Sequence, residues 1–326
     1  MAALVLGPIC SPAAHAHSPA LGAFPAKVFA PYVYVQERPT FPLVKASNAT
    51  GGTHFTLAFI NDRGGCEAGW DSDIALTDGF YHDAIGRIRS NGGDVIVSFG
   101  GAGATELARS CGSAAKLRAQ YQAVVNEYHL TRLDFDIEGN ATLADTAATT
   151  RRNRAIAAMQ RVAHDAGRML TVQFTLGVGL DGLPQRQRQL LRDAHDNGVR
   201  VKTVNIMVMD YGGGADGDQM AQNARNAAAA TFRQLHAIYP AKTAAQRWAM
   251  IGLTPMIGEN DVPGEVFTLD DAHALLDFAT ARGIGLIGFW SASRDKQCFT
   301  RAPSDQCSGV EQERYDFAKV FVDLEP

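Results

Sequence analysis

The run Leu133-Asp134-Phe135-Asp136-Ile137-Glu138 alternates three large apolar residues with three carboxylates. Side chains on a strand alternate between its two faces. The acidic set therefore shares one side and the apolar set the other. The flanking residues read as a core strand rather than an edge strand with a solvated acidic face. Three carboxylates in one interior are costly unless they share protons and complete their hydrogen bonds. Like charges held close raise at least one pKa. A carboxyl group kept protonated near neutral pH serves as a general acid, and Glu138, at the end of the run, is the candidate. The same three groups as ligands for a hard cation such as Mg²⁺ would make the chain sensitive to chelators. No Cys-x-x-Cys or His-x-x-x-His spacing suggests a metal site.

Such a run needs elements that aim it. Short apolar stretches recur at 28–35, 54–60, 94–99, 132–137, 170–176, 203–209, 248–256 and 285–290. They are rich in Val, Ile, Phe, Leu and Thr, as buried parallel strands are. Between them lie Ala-rich amphipathic stretches, for example 104–127, 148–166 and 219–238. Gly92-Gly93, Gly167 and Gly283 stand where helices should end before the next strand. Eight strands alternating with helices predict an α/β fold, a single (β/α)8 TIM barrel. A doubly wound open sheet is the competitor, but no Gly-rich phosphate loop follows the first strand. In the barrel the acidic set points inward, with Glu138 nearest the mouth at the carboxyl ends of the strands.

The 326 residues suit one large domain. Residues 1–26 read as a lead and 27–326 as the barrel domain. Met1 to Cys10 is apolar and Ala14-His15-Ala16 resembles a cleavage site, so the lead reads as a secretory signal peptide lacking its positive start. Without Cys10, four cysteines remain, an even number that fits an oxidised chain. Cys298 and Cys307 flank a short polar loop and would close it, leaving Cys66 and Cys111 as the second bridge. Four free thiols in a cytosolic protein are the alternative. A net charge of -4 gives no reason to expect nucleic acid or an anionic membrane as partner. No apolar run is long enough to span a bilayer.

The stretch Thr131-Arg132-Leu133-Asp134-Phe135-Asp136-Ile137-Glu138 resembles the Asp-x-x-Asp-x-Asp-x-Glu motif of glycoside hydrolase family 18, the chitinase family. Ser98-Phe99-Gly100-Gly101 is similar to that family's Ser-x-Gly-Gly after the third strand. Met209-Asp210-Tyr211 is similar to its Met-x-Tyr after the sixth, and Trp290 stands where the family places the tryptophan that floors a sugar subsite. The stretch Gly252-Leu253-Thr254-Pro255-Met256-Ile257-Gly258 looks most like a bacterial and archaeal subgroup. Two positions depart from the pattern: Thr131 replaces the motif's first Asp, and Gly212 replaces the Asp after the tyrosine, with Asp210 one residue before it instead.

The resemblance implies a retaining hydrolase of β-1,4-linked N-acetylglucosamine polymers (chitin or its oligosaccharides) in which the substrate's own 2-acetamido group is the nucleophile. It implies that Glu138 protonates the leaving oxygen and that Asp136 orients the acetamido group. Asp134 would share a proton with Asp136, and Tyr211 would bond the acetamido oxygen. Trp290, Asp210, Met209, Ser98, Gly101, Tyr32, Phe59 and Gln173 are the expected substrate contacts. Thr175 beside Gln173, and Asn260-Asp261 after the seventh strand, are weaker candidates. A secreted monomer is expected. The resemblance implies no cofactor. The alternatives are a hydrolase of another acetamido-sugar polymer and a sugar-binding barrel without turnover, although members of the latter kind usually lack the Glu that stands here at 138.

Overall fold

The structure, a computed structural model, describes residues 24–298 and 303–325. Most of the expected lead, Cys10 included, lies outside them. The described residues form, in chain order, the strands β1 (Val28–Phe29), β2 (Tyr32–Tyr34), β3 (His54–Asp62), β4 (Ala68–Trp70), β5 (Ile74–Ala75), β6 (Asp94–Gly100), β7 (Arg132–Asp136), β8 (Thr171–Gly177), β9 (Val201–Met207), β10 (Ile251–Thr254), β11 (Gly258–Glu259), β12 (Val266–Phe267) and β13 (Leu286–Ile287). Parallel pairing runs β3-β6-β7-β8-β9-β10-β13. β13 then pairs with β1, and β2 pairs with β3. This closes the sheet into the expected (β/α)8 barrel.

The stretch 28–35 is broken between β1 and β2 at Ala30-Pro31, because Pro31 has no N–H to give a ladder. Pro31 still accepts the Thr56 N–H, so the path stays in the barrel wall. The stretch 104–127 is two helices, Leu107–Ser110 and Ala114–Tyr128. Between them Cys111 is disulfide-bonded, and the Ser113 hydroxyl caps the second helix at the Lys116 N–H. The strand expected at 248–256 begins only at Ile251. Trp248 belongs to helix Ala244–Ala249, which Thr243 and Gln246 start with a reciprocal cap, and its indole stacks on Phe232 at 4.2 Å. Two elements are additions to the barrel: the β4–β5 hairpin and the β11–β12 ribbon.

β7 shows how the core is divided. Leu133, Phe135 and Ile137 face the helices, where Phe135 meets Phe99 and Tyr121 at 5.1 Å each. Arg132, Asp134 and Asp136 face the interior and are all buried. The Phe24 ring lies 5.0 Å from His54 and 5.3 Å from the Arg132 guanidinium, under the lower end of the barrel. The expected disulfides Cys66–Cys111 and Cys298–Cys307 are both formed.

Candidate active site

Asp134 is fully buried at the centre of the barrel. Its Oδ2 accepts the Tyr32 hydroxyl at 2.9 Å and the Ser98 hydroxyl at 2.6 Å, and its Oδ1 accepts the Thr175 hydroxyl at 2.7 Å. Asn205 Nδ2 donates to the Tyr32 and Thr175 oxygens, and Thr254 donates to Asn205 Oδ1. Strands β2, β6, β7, β8, β9 and β10 thus each contribute one member of a single polar network. Burial raises the Asp134 pKa, while the three hydroxyls favour its anion.

One step toward the mouth, Asp136 is 4% exposed, and its Oδ1 has no hydrogen-bond partner. Burial pushes its pKa well up, with Glu138 and Asp134 adding to the effect. Glu138 stands at the rim. Burial and then the Asp210 carboxyl raise it from 4.5 to about 7. A protonated carboxyl at the mouth above an unsatisfied carboxyl oxygen can donate to one atom of a ligand while the lower group accepts from another.

The glycines of Ser98-Phe99-Gly100-Gly101 have a steric role. A Cβ on Gly100 would stand 2.1 Å from the Asp136 carbonyl oxygen, and one on Gly101 would stand 2.7 Å from the Phe59 ring. The close approach lets the Gly101 N–H donate to the Asp136 carbonyl at 3.0 Å. Beyond β9, Asp210 adopts φ 48°. Glu265, 3% exposed, accepts the N–H groups of Tyr211 at 3.0 Å and Gly212 at 2.8 Å, which fixes that turn. Asp210 Oδ1 accepts the Val262 N–H. The Tyr211 hydroxyl is buried with no partner, and burial raises its pKa.

A cavity of about 240 Å³ opens over these groups at the carboxyl ends of the strands. Tyr32, Phe59, Asp136, Glu138, Met209, Asp210 and Trp290 are among the residues that line it. The Trp290 indole packs against Phe59 (5.8 Å, 18° between planes) and against Tyr32 and Tyr34. Four expected substrate or catalytic residues lie below or behind the lining. Asp134 and Ser98 are bonded to each other beneath it, and Gly101 supports Phe59 from behind. Gln173 is wholly buried and accepts from Arg132 at 3.1 Å, since it projects one layer below Thr175, the β8 residue that does reach the cavity. Tyr211 flanks the cavity rather than lining it.

Sequence reasoning missed Thr254, Met256 and Asp305 in the lining, Asn205 in the network and Glu265 in the turn. A polar residue in mid-strand was a usable signal for Asn205. Asp305 had none, because a loop closed by Cys298–Cys307 brings it back over the barrel. Thr131 lines a larger cavity of about 480 Å³ at the opposite end of the barrel, with Phe24 and Met169. Thr131 is therefore no part of the cavity that holds Glu138. Barrel chemistry belongs to the carboxyl face, so the smaller cavity is the candidate site. Among the described residues, no group of three His, Cys, Asp or Glu side chains is arranged to hold a metal ion.

No family model matches the chain. It is 35% identical over 311 residues to the probable bifunctional chitinase/lysozyme of Escherichia coli (strain K12), covering 92% of this chain and 34% of that one. It is 36% identical over 281 residues to endochitinase 11 of Metarhizium anisopliae, covering 84% of this chain and 53% of that one. The chain thus spans a third to a half of these curated relatives. Among solved structures, active domain 2 of the chitinase from Pyrococcus furiosus superposes with a TM-score of 0.84 at 34% identity, over 94% of this chain and 97% of that one. A likeness of that extent, over a whole catalytic domain, makes this chain a member of glycoside hydrolase family 18.

Proposed function

We propose that the chain is a chitinase: a retaining, substrate-assisted hydrolase of β-1,4-linked N-acetylglucosamine polymers. The observation that carries this reading is the unpartnered Asp136 Oδ1 beneath a Glu138 whose pKa is raised to about 7. An acetamido N–H would supply the bond that Asp136 lacks, and the buried Tyr211 hydroxyl would supply one to the acetamido oxygen. Held this way, the acetamido oxygen attacks the anomeric carbon as the glycosidic C–O bond breaks. The proton of Glu138 goes to the leaving oxygen. The Glu138 carboxylate then takes a proton from water, whose oxygen opens the oxazolinium ring from the face the leaving group vacated. Configuration is retained, and Trp290 forms the floor under the reacting sugar. The Pyrococcus furiosus domain has been solved with chito-oligosaccharides bound, which supports the same ligand class here. Two disulfides support an extracellular setting, and we read the chain as acting as a monomer.

The test compares N-acetylglucosamine tetramers with glucosamine tetramers of the same linkage. Cleavage of the acetylated oligomer alone is expected. Equal cleavage of both would remove the acetamido group from the mechanism. Binding without cleavage, in a protein with Glu138 intact, would turn the reading to a sugar-binding barrel.

A further inference from the structure

Arg132 opens β7 two residues below Asp134, on the same interior face, and is 2% exposed. Its Nε donates to Gln173 Oε1 at 3.1 Å and its Nη2 to Thr203 Oγ1 at 3.0 Å. Other deeply buried arginines are provided for differently. Arg89 holds Asp94 at 2.8 Å and Arg152 holds Glu106 at 2.9 Å. Arg294 donates to the carbonyls of Ile257, Glu259 and Ser304. Among the described residues, Arg132 bonds two neutral side chains and lies over a ring face. A buried cation so weakly partnered is costly unless a nearby anion compensates.

The carboxyl placed to supply that anion, Asp134, lies directly above. Residues two apart on a strand are about 6.6 Å apart along it, which brings Asp134 within range of an unscreened interior interaction. Burial lowers the Arg132 pKa to about 10, and Asp134 opposes that lowering, so the guanidinium stays charged at neutral pH. Gln173 connects the two. It is the register partner of Asp134 across β7 and β8. With its Oε1 held by Arg132, its Nε2 has no hydrogen bond of normal geometry, yet it lies close enough to Asp134 to favour the anion.

We propose that Arg132, acting through space and through Gln173, is a positioning residue that keeps negative charge on the Asp134–Asp136 pair and thereby sets the lower pH limit of activity. The inference rests on the reading that Asp136 must carry or share negative charge when the oxazolinium forms. The other ionisable groups facing the pair all oppose a negative charge there or are neutral: Tyr32 from β2, Glu138 at the end of β7 and Asp210 from the turn after β9. Lys202 of β9 feels Arg132 from the lower rim, while His54 and Asp94 are held by Glu325 and Arg89. Among these groups, Arg132 is the one cation on the axis of the acidic stack.

Two readouts on the full chain test this. The first is the pH profile of kcat on N-acetylglucosamine oligomers for wild type, Arg132→Gln, Arg132→Lys and Gln173→Met. The acid limb should move up by about one pH unit in Arg132→Gln, by less in Gln173→Met, and stay near wild type in Arg132→Lys. The second is a carbon-13 titration of aspartate carboxyls, with Asp134→Asn identifying the pair, which needs no turnover. It should show the same upward displacement. A folded Arg132→Gln whose limb and titration match wild type would overturn the proposal, and so would an Arg132→Lys displaced as far as Arg132→Gln. If Arg132→Gln does not fold, an undisplaced Gln173→Met overturns it instead. If wild type cleaves no oligomer, the functional reading fails while the titration still decides the role of Arg132.

Discussion

At the scale of single residues, Glu138 and Asp134 differ chiefly in what bonds them. Asp134 receives three hydroxyls; Glu138 has burial and a neighbouring carboxyl, which hold its proton to about pH 7. As the proposed acid must be protonated, kcat/KM should fall as pH rises through about 7. A profile flat to pH 9 would contradict that. Glu138→Gln should cut kcat by roughly 10³-fold or more with the fold intact. A carboxyl raised in the folded state stabilises least above its folded pKa, because folding then opposes its ionisation. Glu138→Gln should therefore raise Tm by a few degrees at pH 8 and much less at pH 4, read by calorimetry. Gly101→Ala meets both a φ of 82° and the Phe59 ring at 2.7 Å. It should displace Phe59 and weaken oligomer binding, measured as a raised Kd.

At the scale of elements, β7 and the turn after β9 do most of the positioning. The period-two alternation of residues 133–138 is strong enough to read from the sequence: Leu133, Phe135 and Ile137 join the apolar core, while Asp136 and Glu138 reach the cavity. What alternation cannot tell is depth. Gln173 and Thr175 share a face, but one layer of barrel separates them, and only the upper one reaches the cavity. Ser98 was legible as part of a motif, not as a group beneath Asp134. The turn after β9 was legible by its glycines. Its anchor, Glu265, sits some fifty residues on and carries no local signal. Glu265→Ala removes the acceptor of two N–H groups and should loosen Asp210 and Tyr211 together. We expect kcat/KM to fall about 10–100-fold with a smaller effect on Tm. Wild-type kinetics in that variant would show that the turn holds itself.

At the scale of the whole molecule, the eight-fold alternation of apolar and Ala-rich stretches identified the barrel, while its additions, the β4–β5 hairpin and the β11–β12 ribbon, were too short to register. The disulfides pin loops rather than the barrel wall. Cys66–Cys111 spans 45 residues and Cys298–Cys307 spans 9. By loop entropy their removal should cost about 4 and about 2.5 kcal/mol respectively, so Cys66→Ser/Cys111→Ser should lower Tm more than Cys298→Ser/Cys307→Ser. The second pair carries the loop of Asp305, so its loss should show in oligomer binding first. On the proposed mechanism the barrel holds the Glu138 carboxyl over the unpartnered Asp136 Oδ1. The most direct test of that is the anomeric form of the first product, followed by proton NMR during cleavage of N-acetylglucosamine oligomers by wild type and Glu138→Gln. Wild type should release the β-anomer first, and the variant no product above background. An α-anomer as first product, or undiminished turnover by Glu138→Gln, would contradict the mechanism.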